Sequence, residues 1–521
     1  MTLASRLSSP ISIPGAVEAA AAEFGPATAI YENGESWSYT ELWARARAAG
    51  AAFLAAGLRH GEAVGIWAPN SREWIMAALG VQMCGGIIIP LNTRYKGRET
   101  GDILRRGHAV MLCMTSSFLG TDYDALLAGE DLPKLRRKII FGGAGETGWD
   151  AFLADGAGVG AAAVDAAIAA VSPEDICDVL FTSGTTGAPK GVLTAHYQVI
   201  SLFYNWATLM TLRAGDRFLI VNPFFHTFGY KAGWLACLLH GATVVPMPVY
   251  DPAGAARLIT EQKINFLPGP PTIYQTLLAE QAKGGCDFAS LRVAVTGAAV
   301  VPPILIERMH KELGIKTIFT GFGMTECGVI AMTRPGDAVE LVAGTCGCAV
   351  PGIEIKCVDE DGNTLPAGNA GEILVRGYGV MRGYLDDPAA TAAAIDPQGW
   401  LHTGDIGALD ETGYLRITDR KKDMYITGGF NCYPAEIERI LCEHPKVEMA
   451  AVIGVPDERM GEVGKAFLVL RPGQQAQSAE IIAWARENMA NYKVPRAVEF
   501  LTQLPKNAAG KVVRNDLRTT S

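Results

Sequence analysis

The chain has 521 residues, of which 49% are apolar and 19% are charged. This length allows about two to four domains, and such an apolar composition excludes wholesale disorder. Lys and Arg number 45 against 54 Asp and Glu, which gives a net charge of −9. That balance argues against a general nucleic-acid-binding protein, although it permits local binding of a nucleotide.

The sequence shows no segment that would direct the chain into a membrane or out of the cell. Apolar runs such as residues 86–90 are much shorter than the roughly 20 residues that span a bilayer. Arg6 near the N-terminus is not followed by an apolar stretch, so we expect no secretory signal. The eleven cysteines form no CxxC pairs and are interpreted as reduced thiols. These features predict a cytoplasmic protein without a transmembrane segment.

Helix and strand patterns alternate through the first two thirds of the chain. Residues 38–41 (Ser-Tyr-Thr-Glu) have a capping-box pattern, which predicts a helix that ends near Gly57. Further on, the predicted strands are 63–67, 86–91, 110–114, 176–181, 218–221, 243–246, 264–267, 293–295 and 317–319, and the predicted helices are 156–170, 232–239, 255–262, 272–281 and 304–313. Such alternation indicates a buried parallel sheet.

Turns rich in Gly and Pro follow four of these strands directly. They are residues 222–226, 268–271, 296–299 and 321–326. Because open α/β sheets bind ligands at the carboxyl ends of their strands, we expect the four turns to converge on one crevice.

The pattern changes twice in the last third of the chain. From about Thr345, short strands and turns predict a β-rich subdomain. After the charged residues 419–423, the predicted elements are helices at 434–442 and 479–489 and strands at 450–455, 466–470 and 497–501. We therefore predict an α/β protein. Residues 1–420 form a large N-terminal domain of doubly wound sheets plus the β-rich subdomain, and residues 421–521 form a small α+β C-terminal domain.

The densest local motif is residues 182–191, Thr-Ser-Gly-Thr-Thr-Gly-Ala-Pro-Lys-Gly, directly after a predicted strand. Backbone N–H groups and hydroxyls in such a loop can surround a phosphate, while the lysine supplies positive charge. The candidate phosphate-binding residues are Thr182, Ser183, Gly184, Thr185, Thr186 and Lys190. The motif is not a Walker A loop, because Lys190 is followed by Gly191 rather than by Ser or Thr.

This loop resembles the signature loop of the adenylate-forming superfamily, which contains acyl-CoA synthetases, luciferases and the adenylation domains of peptide synthetases. Further motifs that are similar to those of the superfamily follow in the same order. They are residues 321–326 (Gly-Phe-Gly-Met-Thr-Glu), 402–405 (His-Thr-Gly-Asp), 419–423 (Asp-Arg-Lys-Lys-Asp), 428–431 (Gly-Gly-Phe-Asn), 433–436 (Tyr-Pro-Ala-Glu) and 505–511 (Pro-Lys-Asn-Ala-Ala-Gly-Lys). The resemblance covers essentially the whole chain and implies that ATP, Mg²⁺ and coenzyme A are its ligands.

The resemblance also implies roles for residues near the nucleotide. Phe322 would stack on adenine, where the superfamily usually has Tyr, and Thr325 would bind the α-phosphate. Glu326 would be the Mg²⁺ ligand, a hard oxygen donor for a hard cation. Asp405 and Arg420 would bind the ribose hydroxyls. The remaining candidates on this side are Gly297, Ala298, Gly321 and Gly323.

Lys511 and Lys422 are the candidates that the resemblance implies for the C-terminal domain, which is expected to be mobile. Lys511 would bridge the attacking carboxylate and the ATP phosphates, since two anions need a cation between them. Lys422 would be the hinge about which the small domain rotates once the adenylate has formed. The rotation would remove Lys511 and bring Gly428, Gly429 and Phe430 beside a pantetheine tunnel.

An aromatic cluster after the strand at 218–221 is the candidate acyl pocket. It contains His226, which is also a catalytic candidate, with Phe228, Tyr230, Lys231 and Trp234. Other walls would come from Gly297, Ala298, Gly321 and Val329. Lys231 is unusual beside a plain fatty-acid tunnel, because a buried lysine is costly unless it has a partner. A polar group of the substrate, a neighbouring carboxylate or ordered water would each serve.

These observations predict an ATP- and Mg²⁺-dependent carboxylic acid:CoA ligase that forms an acyl-adenylate and releases pyrophosphate and AMP. Residues 222–233 and 268–275 are similar to ligases that activate the propanoate side chain of partly degraded steroid rings. Medium-chain and aromatic acids are the alternative substrates. The sequence leaves the oligomeric state open, with a homodimer as one alternative.

Three other functions remain open. A luciferase-like oxygenase needs no additional motif. An enzyme that activates an amino or aryl acid for a carrier protein usually has an Asp after the aromatic loop, where this chain offers Lys231. A non-catalytic binding protein is expected to lack Lys511 or Glu326, and both are present.

Overall fold

The structure is a computed structural model that describes residues 3–95, 97–182, 189–297, 301–420, 425–427, 430–432, 434–457, 459–489, 491–507 and 510–519. Its strands are β1 (Thr28–Glu32), β2 (Glu35–Ser38), β3 (Ala63–Trp67), β4 (Ile87–Pro90), β5 (Ala109–Thr115), β6 (Ser117–Phe118), β7 (Thr121–Asp122), β8 (Arg137–Phe141), β9 (Ile176–Thr182), β10 (Lys190–Ala195), β11 (Arg217–Ile220), β12 (Thr243–Pro246), β13 (Phe266–Pro268), β14 (Val293–Gly297), β15 (Thr317–Met324), β16 (Gly328–Met332), β17 (Cys348–Ala349), β18 (Ile353–Val358), β19 (Gly371–Gly377), β20 (Gly383–Tyr384), β21 (Leu401–Leu409), β22 (Leu415–Arg420), β23 (Tyr425–Thr427), β24 (Phe430–Cys432), β25 (Val447–Asp457), β26 (Gly461–Leu470) and β27 (Ala497–Phe500).

The helices flank these strands through most of the chain. They are α1 (Leu3–Arg6), α2 (Ile13–Phe24), α3 (Tyr39–Ala55), α4 (Arg72–Met83), α5 (Gly97–Arg106), α6 (Tyr123–Leu127), α7 (Trp149–Asp155), α8 (Ala161–Ala170), α9 (His196–Leu209), α10 (Thr227–Gly229), α11 (Ala236–His240), α12 (Pro252–Gln262), α13 (Pro271–Lys283), α14 (Pro303–Glu312), α15 (Val339–Gly344), α16 (Pro388–Ala394), α17 (Pro434–Cys442), α18 (Ser478–Asn488) and α19 (Arg514–Thr519). A 3₁₀ turn covers Gly156–Gly158 and a π-helical turn covers Tyr230–Leu235.

Two large sheets form the N-terminal part of the fold. The nine-stranded sheet has the order β17-β16-β15-β14-β13-β11-β12-β1-β2, and its neighbours from β15 to β1 are parallel. The seven-stranded sheet has the order β20-β10-β9-β4-β3-β5-β8, in which the pairs from β9 to β8 are parallel. The predicted α/β class with a parallel sheet is therefore confirmed.

One apolar core spans both sheets. Strand β3 is buried along its whole length, as expected for a parallel strand covered on both faces. Helix α4 is buried from Trp74 to Met83. The Trp74 ring lies 5.6 Å from Phe224, 5.9 Å from Tyr230 and 6.1 Å from Trp234, which ties this helix to the segment that follows β11.

The last third of the chain contains two smaller sheets. Strands β18, β19, β21 and β22 form the antiparallel β-rich subdomain that the sequence predicts. Strands β23 to β27 form another sheet, with its own core around α17 and α18. The change between these sheets falls between Arg420 and Tyr425. The division into domains at residues 420 and 421 stays a prediction.

The segment 321–326 differs from the predicted turn. Strand β15 continues through Met324, and the turn occupies residues 325–327. Glycine allows this close pairing, because a Cβ at Gly321 would lie 1.9 Å from Met332 Sδ. A Cβ at Gly323 would lie 2.2 Å from the Gly328 carbonyl oxygen.

The described helices were compared with the length and apolar character that a membrane span requires. Within the described ranges, no single helix is long and apolar enough to cross a membrane. One bent pair, Trp149–Gly158 with Ala161–Ala170, meets the criteria of length and composition, with an angle of 100° between its parts. The single helix predicted over residues 156–170 is thus two segments.

Candidate active site

The carboxyl ends of four adjacent strands meet at one edge of the nine-stranded sheet. Strands β11, β13, β14 and β15 are consecutive and parallel. The segments that follow these four strands therefore begin side by side at this edge. Asn222 Nδ2 donates a hydrogen bond of 3.2 Å to the Pro268 carbonyl, which links two of the loops. Gly297 at the end of β14 pairs with Gly321 of β15.

The candidate phosphate loop connects two antiparallel strands, β9 and β10. Thr182 and Lys190 are register partners at the base of the loop, and Thr182 Oγ1 donates to the Lys190 carbonyl at 3.4 Å. Ser183, Gly184, Thr185 and Thr186 lie outside the described residues. The Lys190 side chain is exposed, with its ammonium 4.9 Å from the centre of the Tyr384 ring.

Tyr384 connects this lysine with the candidate metal ligand. The Tyr384 hydroxyl donates to Glu326 Oε1 at 3.0 Å. Burial and the neighbouring Glu326 carboxylate raise the pKa of Tyr384, so it remains a protonated donor. Sequence reasoning missed this tyrosine, because it is 58 residues from Glu326 along the chain and no local pattern joins the two.

His226 stands at the wall of the crevice as a neutral imidazole. The Phe228 backbone N–H donates to His226 Nδ1 at 3.2 Å, which leaves Nε2 to carry the proton. The side chain is exposed, yet the surrounding protein atoms desolvate the imidazole. This desolvation and the positive charge of Lys511 lower the pKa of His226 to about 4. The charge of Lys511 in the C-terminal part therefore acts on this histidine of the candidate acyl side.

Lys511 lies on a short closed loop of the C-terminal part. The Lys511 N–H donates to Asn507 Oδ1 at 3.0 Å, and the Asn507 N–H donates to the Lys511 carbonyl at 2.8 Å. A few residues later, Arg514 in α19 pairs with both carboxylate oxygens of Glu438 in α17, at 2.9 and 3.0 Å. Glu438 also accepts from the Val452 N–H at 2.7 Å. The loop is thus fixed to the core of its own sheet.

The candidate ribose and hinge residues are described only in part. Asp405 of β21 is a register partner of Arg420 of β22, so the structure brings these two positions together. Asp405 is buried, while the side chain of Arg420 is outside the described part of the chain. The same is true of the Phe430 side chain and of residues Ala298, Lys422, Gly428 and Gly429.

The aromatic cluster divides into a crevice part and a core part. Phe228 is half-buried, with its ring 6.3 Å from Trp206, and Val329 is 8% exposed. Tyr230 and Trp234 are completely buried, and their rings stack at 5.0 Å. This differs from the prediction that both rings line the acyl pocket. The segment enters the core as a π-helical turn, and the sequence pattern does not indicate this.

Lys231 also lies in the core, at 3% exposure. Its ammonium bonds Asp178 Oδ1 at 2.9 Å and Thr194 Oγ1 at 3.1 Å. Of the partners that the sequence left open, the structure therefore shows a neighbouring carboxylate. Sequence reasoning missed Asp178, which stands 53 residues away in the middle of β9.

Comparison with known proteins assigns the class. The chain matches the model of the AMP-binding enzyme over residues 17–385 and the model of the AMP-binding enzyme C-terminal domain over residues 436–511. It belongs to the AMP-binding enzyme family. Among solved structures it is similar to the anthranilate CoA ligase AuaEII in complex with anthranoyl-AMP. That match has a TM-score of 0.87 and 30% identity, and it covers 100% of this chain and 99% of that chain.

Two relatives are considerably more similar in sequence. Both are ligases named for a 7a-methyl-1,5-dioxo-octahydro-1H-inden-4-yl propanoyl:CoA product. The one from Rhodococcus jostii is 47% identical, covering 98% of both chains. The one from Mycobacterium tuberculosis is 49% identical, covering 97% of this chain and 98% of the relative. ATP-bound MatB from Rhodopseudomonas palustris is a further structural neighbour, with 28% identity, a TM-score of 0.82 and coverage of 95% and 96%.

Proposed function

We propose that this protein is an AMP-forming carboxylic acid:CoA ligase whose acid is the propanoate side chain of a partly degraded steroid ring system. The observation that carries the proposal is the identity of 47% and 49%, over nearly the full chain, to two ligases named for such an acid. The adjacent carboxyl ends of the strands, the strands that flank the phosphate loop and the effect of the Lys511 charge on His226 support the chemistry.

In the first step, a carboxylate oxygen of the acid attacks the α-phosphorus of ATP in line. A new oxygen–phosphorus bond forms and pyrophosphate leaves with the electrons of the bond that breaks. Lys190 and the loop after Thr182 bind the phosphates, with Thr325 at the α-phosphate. Lys511 lies between the two anions and reduces their repulsion, so that the step depends mainly on positioning and charge.

His226 has a role on the acyl side of this step. Since Nδ1 accepts the Phe228 N–H, the Nε2–H of the neutral imidazole is the group that can donate to the substrate carboxylate. A neutral donor orients the nucleophile without pairing with its charge. The lowered pKa keeps His226 in this form at neutral pH.

The residues present fit a Mg²⁺ ion that arrives with the nucleotide. Glu326 offers one hard carboxylate, which Tyr384 orients. Among the residues that the structure describes, no group of three or more His, Cys, Asp or Glu side chains could hold a metal. Mg²⁺ is commonly bound by one or two carboxylates together with substrate phosphates, where it neutralises charge that develops on the phosphate oxygens.

The second step joins the acyl group to coenzyme A. The CoA thiolate attacks the acyl carbonyl, a thioester bond forms and AMP leaves. The rotation about Lys422 that would bring Gly428, Gly429 and Phe430 to a pantetheine tunnel stays part of the proposal. So do the cytoplasmic location and a homodimeric assembly.

The acid should be bulky and largely apolar, with polar groups distant from the carboxylate. Phe228, two residues after His226, packs against the apolar core to which Val329 belongs, so both supply apolar surface. The ring ketones of the acid would bind groups other than Lys231, because the Lys231 ammonium already bonds Asp178 and Thr194.

The identity of the acid is tested by measuring the rate of thioester formation with a set of matched acids. We expect the highest kcat/KM for a propanoate on a bicyclic diketone, and a lower value for the same ring system without its ketones. Octanoate and an aromatic acid control for chain length and planarity. A higher kcat/KM for octanoate or the aromatic acid would contradict the steroid assignment and leave the ligase assignment intact.

A further inference from the structure

A buried ion pair connects the two large sheets directly behind the candidate active site. Lys231 is 3% exposed and Asp178 is completely buried. Thr194, which accepts the second hydrogen bond of the ammonium, is 8% exposed and is the register partner of Asp178. The ammonium of Lys231 therefore binds a cross-strand pair of β9 and β10.

The two sides of this pair carry different parts of the site. Strands β9 and β10 belong to the seven-stranded sheet and flank the candidate phosphate loop. Lys231 follows His226 by five residues, on the segment that continues from β11 of the nine-stranded sheet. A small cavity between them is lined by Lys231, Thr194, Thr325 and Glu326, among others, so the pair also lies next to the candidate metal-ligand turn.

An ion pair in the core joins two sheets at a cost in desolvation free energy. The desolvation of two buried ions can exceed their mutual attraction, and apolar residues of the same size often stabilise a fold equally well. A charged contact, in contrast, fixes distance and direction, since the ammonium must meet both oxygens at hydrogen-bond distance. The π-helical turn of Tyr230–Leu235 supplies the geometry that places Lys231 there.

We propose that Lys231 is a positioning residue, which sets the acyl wall at a fixed distance from the phosphate loop through its ion pair with Asp178. The inference rests on the proposed function. In adenylation, the acid and the ATP are separate molecules, and the acyl wall and the phosphate loop that help to hold them lie on the two sides of this contact. A displacement of about 1 Å between bound reactants can reduce a rate by about 100-fold. The second half-reaction is less sensitive, because the acyl group and AMP are then one molecule.

The proposal is tested by measuring the rates of both half-reactions on the same preparation of a variant. For Lys231→Met, we expect acid-dependent ATP–pyrophosphate exchange to fall at least about 10-fold more than thioester formation from preformed acyl-adenylate. This ratio does not depend on the folded fraction of the preparation. Equal losses in both half-reactions would show that Lys231 is only structural and would overturn the proposal.

A double variant separates positioning from stability. Lys231→Met with Asp178→Asn removes both charges, so its thermal midpoint should recover relative to either single variant, while exchange stays low. Recovery of exchange together with the midpoint would overturn the proposal. The matched control is Arg292→Met with Asp216→Asn, a largely buried pair at the amino ends of β11 and β14. This control should lower the thermal midpoint and leave the ratio of pyrophosphate exchange to thioester formation unchanged. If the ratio changed as much as in the Lys231 variants, the result would count against the proposal.

The wild-type protein distinguishes this inference from the proposed function. If it shows neither acid-dependent exchange nor thioester formation with any acid, the proposed function fails. If it shows both and the variants show no selective loss of exchange, only the inference about Lys231 fails.

Discussion

At the scale of single residues, Tyr384 contacts two charged groups of the nucleotide side. Its hydroxyl donates to Glu326, and its ring lies near the Lys190 ammonium. Tyr384→Phe removes only the hydroxyl, and we expect a several-fold higher KM for ATP, since one such hydrogen bond contributes about 1 kcal/mol. Tyr384→Leu also removes the ring face and should raise KM further. The measurement is pyrophosphate exchange at varied ATP, and unchanged KM values in both variants would show that Tyr384 does not orient Glu326.

His196 makes the stability of the protein depend on pH. It is completely buried and accepts the Ile13 N–H at 3.2 Å, and its burial lowers the pKa to about 3. Below about pH 6.5 the unfolded chain binds a proton at this histidine and the folded chain does not, so its stabilising contribution is full above pH 6.5 and is lost as the pH falls. Between pH 7.5 and 5 the loss is about 2 kcal/mol.

His196→Asn keeps an acceptor and removes this titration. We therefore expect the wild type to lose about 2 kcal/mol more than the variant in its free energy of unfolding between pH 7.5 and 5. Urea unfolding at the two pH values measures the difference. Equal losses would show that His196 is not the group responsible.

At the scale of elements, the anchor of the Lys511 loop can be tested. Arg514→Gln leaves Glu438 without its guanidinium partner, in a site where both side chains are largely buried. We expect a loss of about 2–4 kcal/mol in stability and a clear fall of pyrophosphate exchange, because removing one member of a buried pair leaves a charge behind. The control is Arg439→Gln in α17, the helix that carries Glu438. This variant removes only an exposed ion pair with Glu443. Identical behaviour of the two variants would contradict the anchoring role.

Elements were predictable from sequence where local pattern and burial agree. Strands β3 and β12 have the predicted bounds, because each is a short apolar run that is buried along its length. The helix at residues 39–55 begins at its capping box, where Ser38 and Glu41 exchange hydrogen bonds. The pattern missed the continuation of β15 through its glycines, which depends on close packing against Met332 and Gly328, residues of another strand.

At the scale of the whole molecule, short motifs in the sequence nominate the site residues, whereas the contacts between sheets could not be predicted. Lys190, Glu326 and Asp405 stand in short motifs whose residue types indicate their chemistry. The pairs Lys231–Asp178 and Tyr384–Glu326 join segments more than 50 residues apart in the chain. Asp178 and Tyr384 lie on strands of the seven-stranded sheet, whereas Lys231 and Glu326 lie in turns that follow strands of the nine-stranded sheet. Neither helical nor strand periodicity encodes such contacts, and the sequence therefore left the partner of Lys231 open.

The role proposed for Lys511 predicts different effects on the two steps of the reaction. Lys511→Ala should lose acid-dependent pyrophosphate exchange far more than thioester formation from preformed acyl-adenylate, because the cation is needed where two anions meet. Lys506→Ala, in the same loop, is the matched control and should retain both activities. A loss of the same size in both half-reactions of Lys511→Ala would show that the lysine is not specific to adenylation.

The central claim is that the protein activates a carboxylic acid as its adenylate, and ATP–pyrophosphate exchange without coenzyme A tests it most directly. We predict that labelled pyrophosphate enters ATP only when a suitable acid is present. Addition of coenzyme A should then yield AMP and acyl-CoA in equal amounts. Exchange that does not depend on the acid, or cleavage of ATP to ADP and phosphate, would contradict the account.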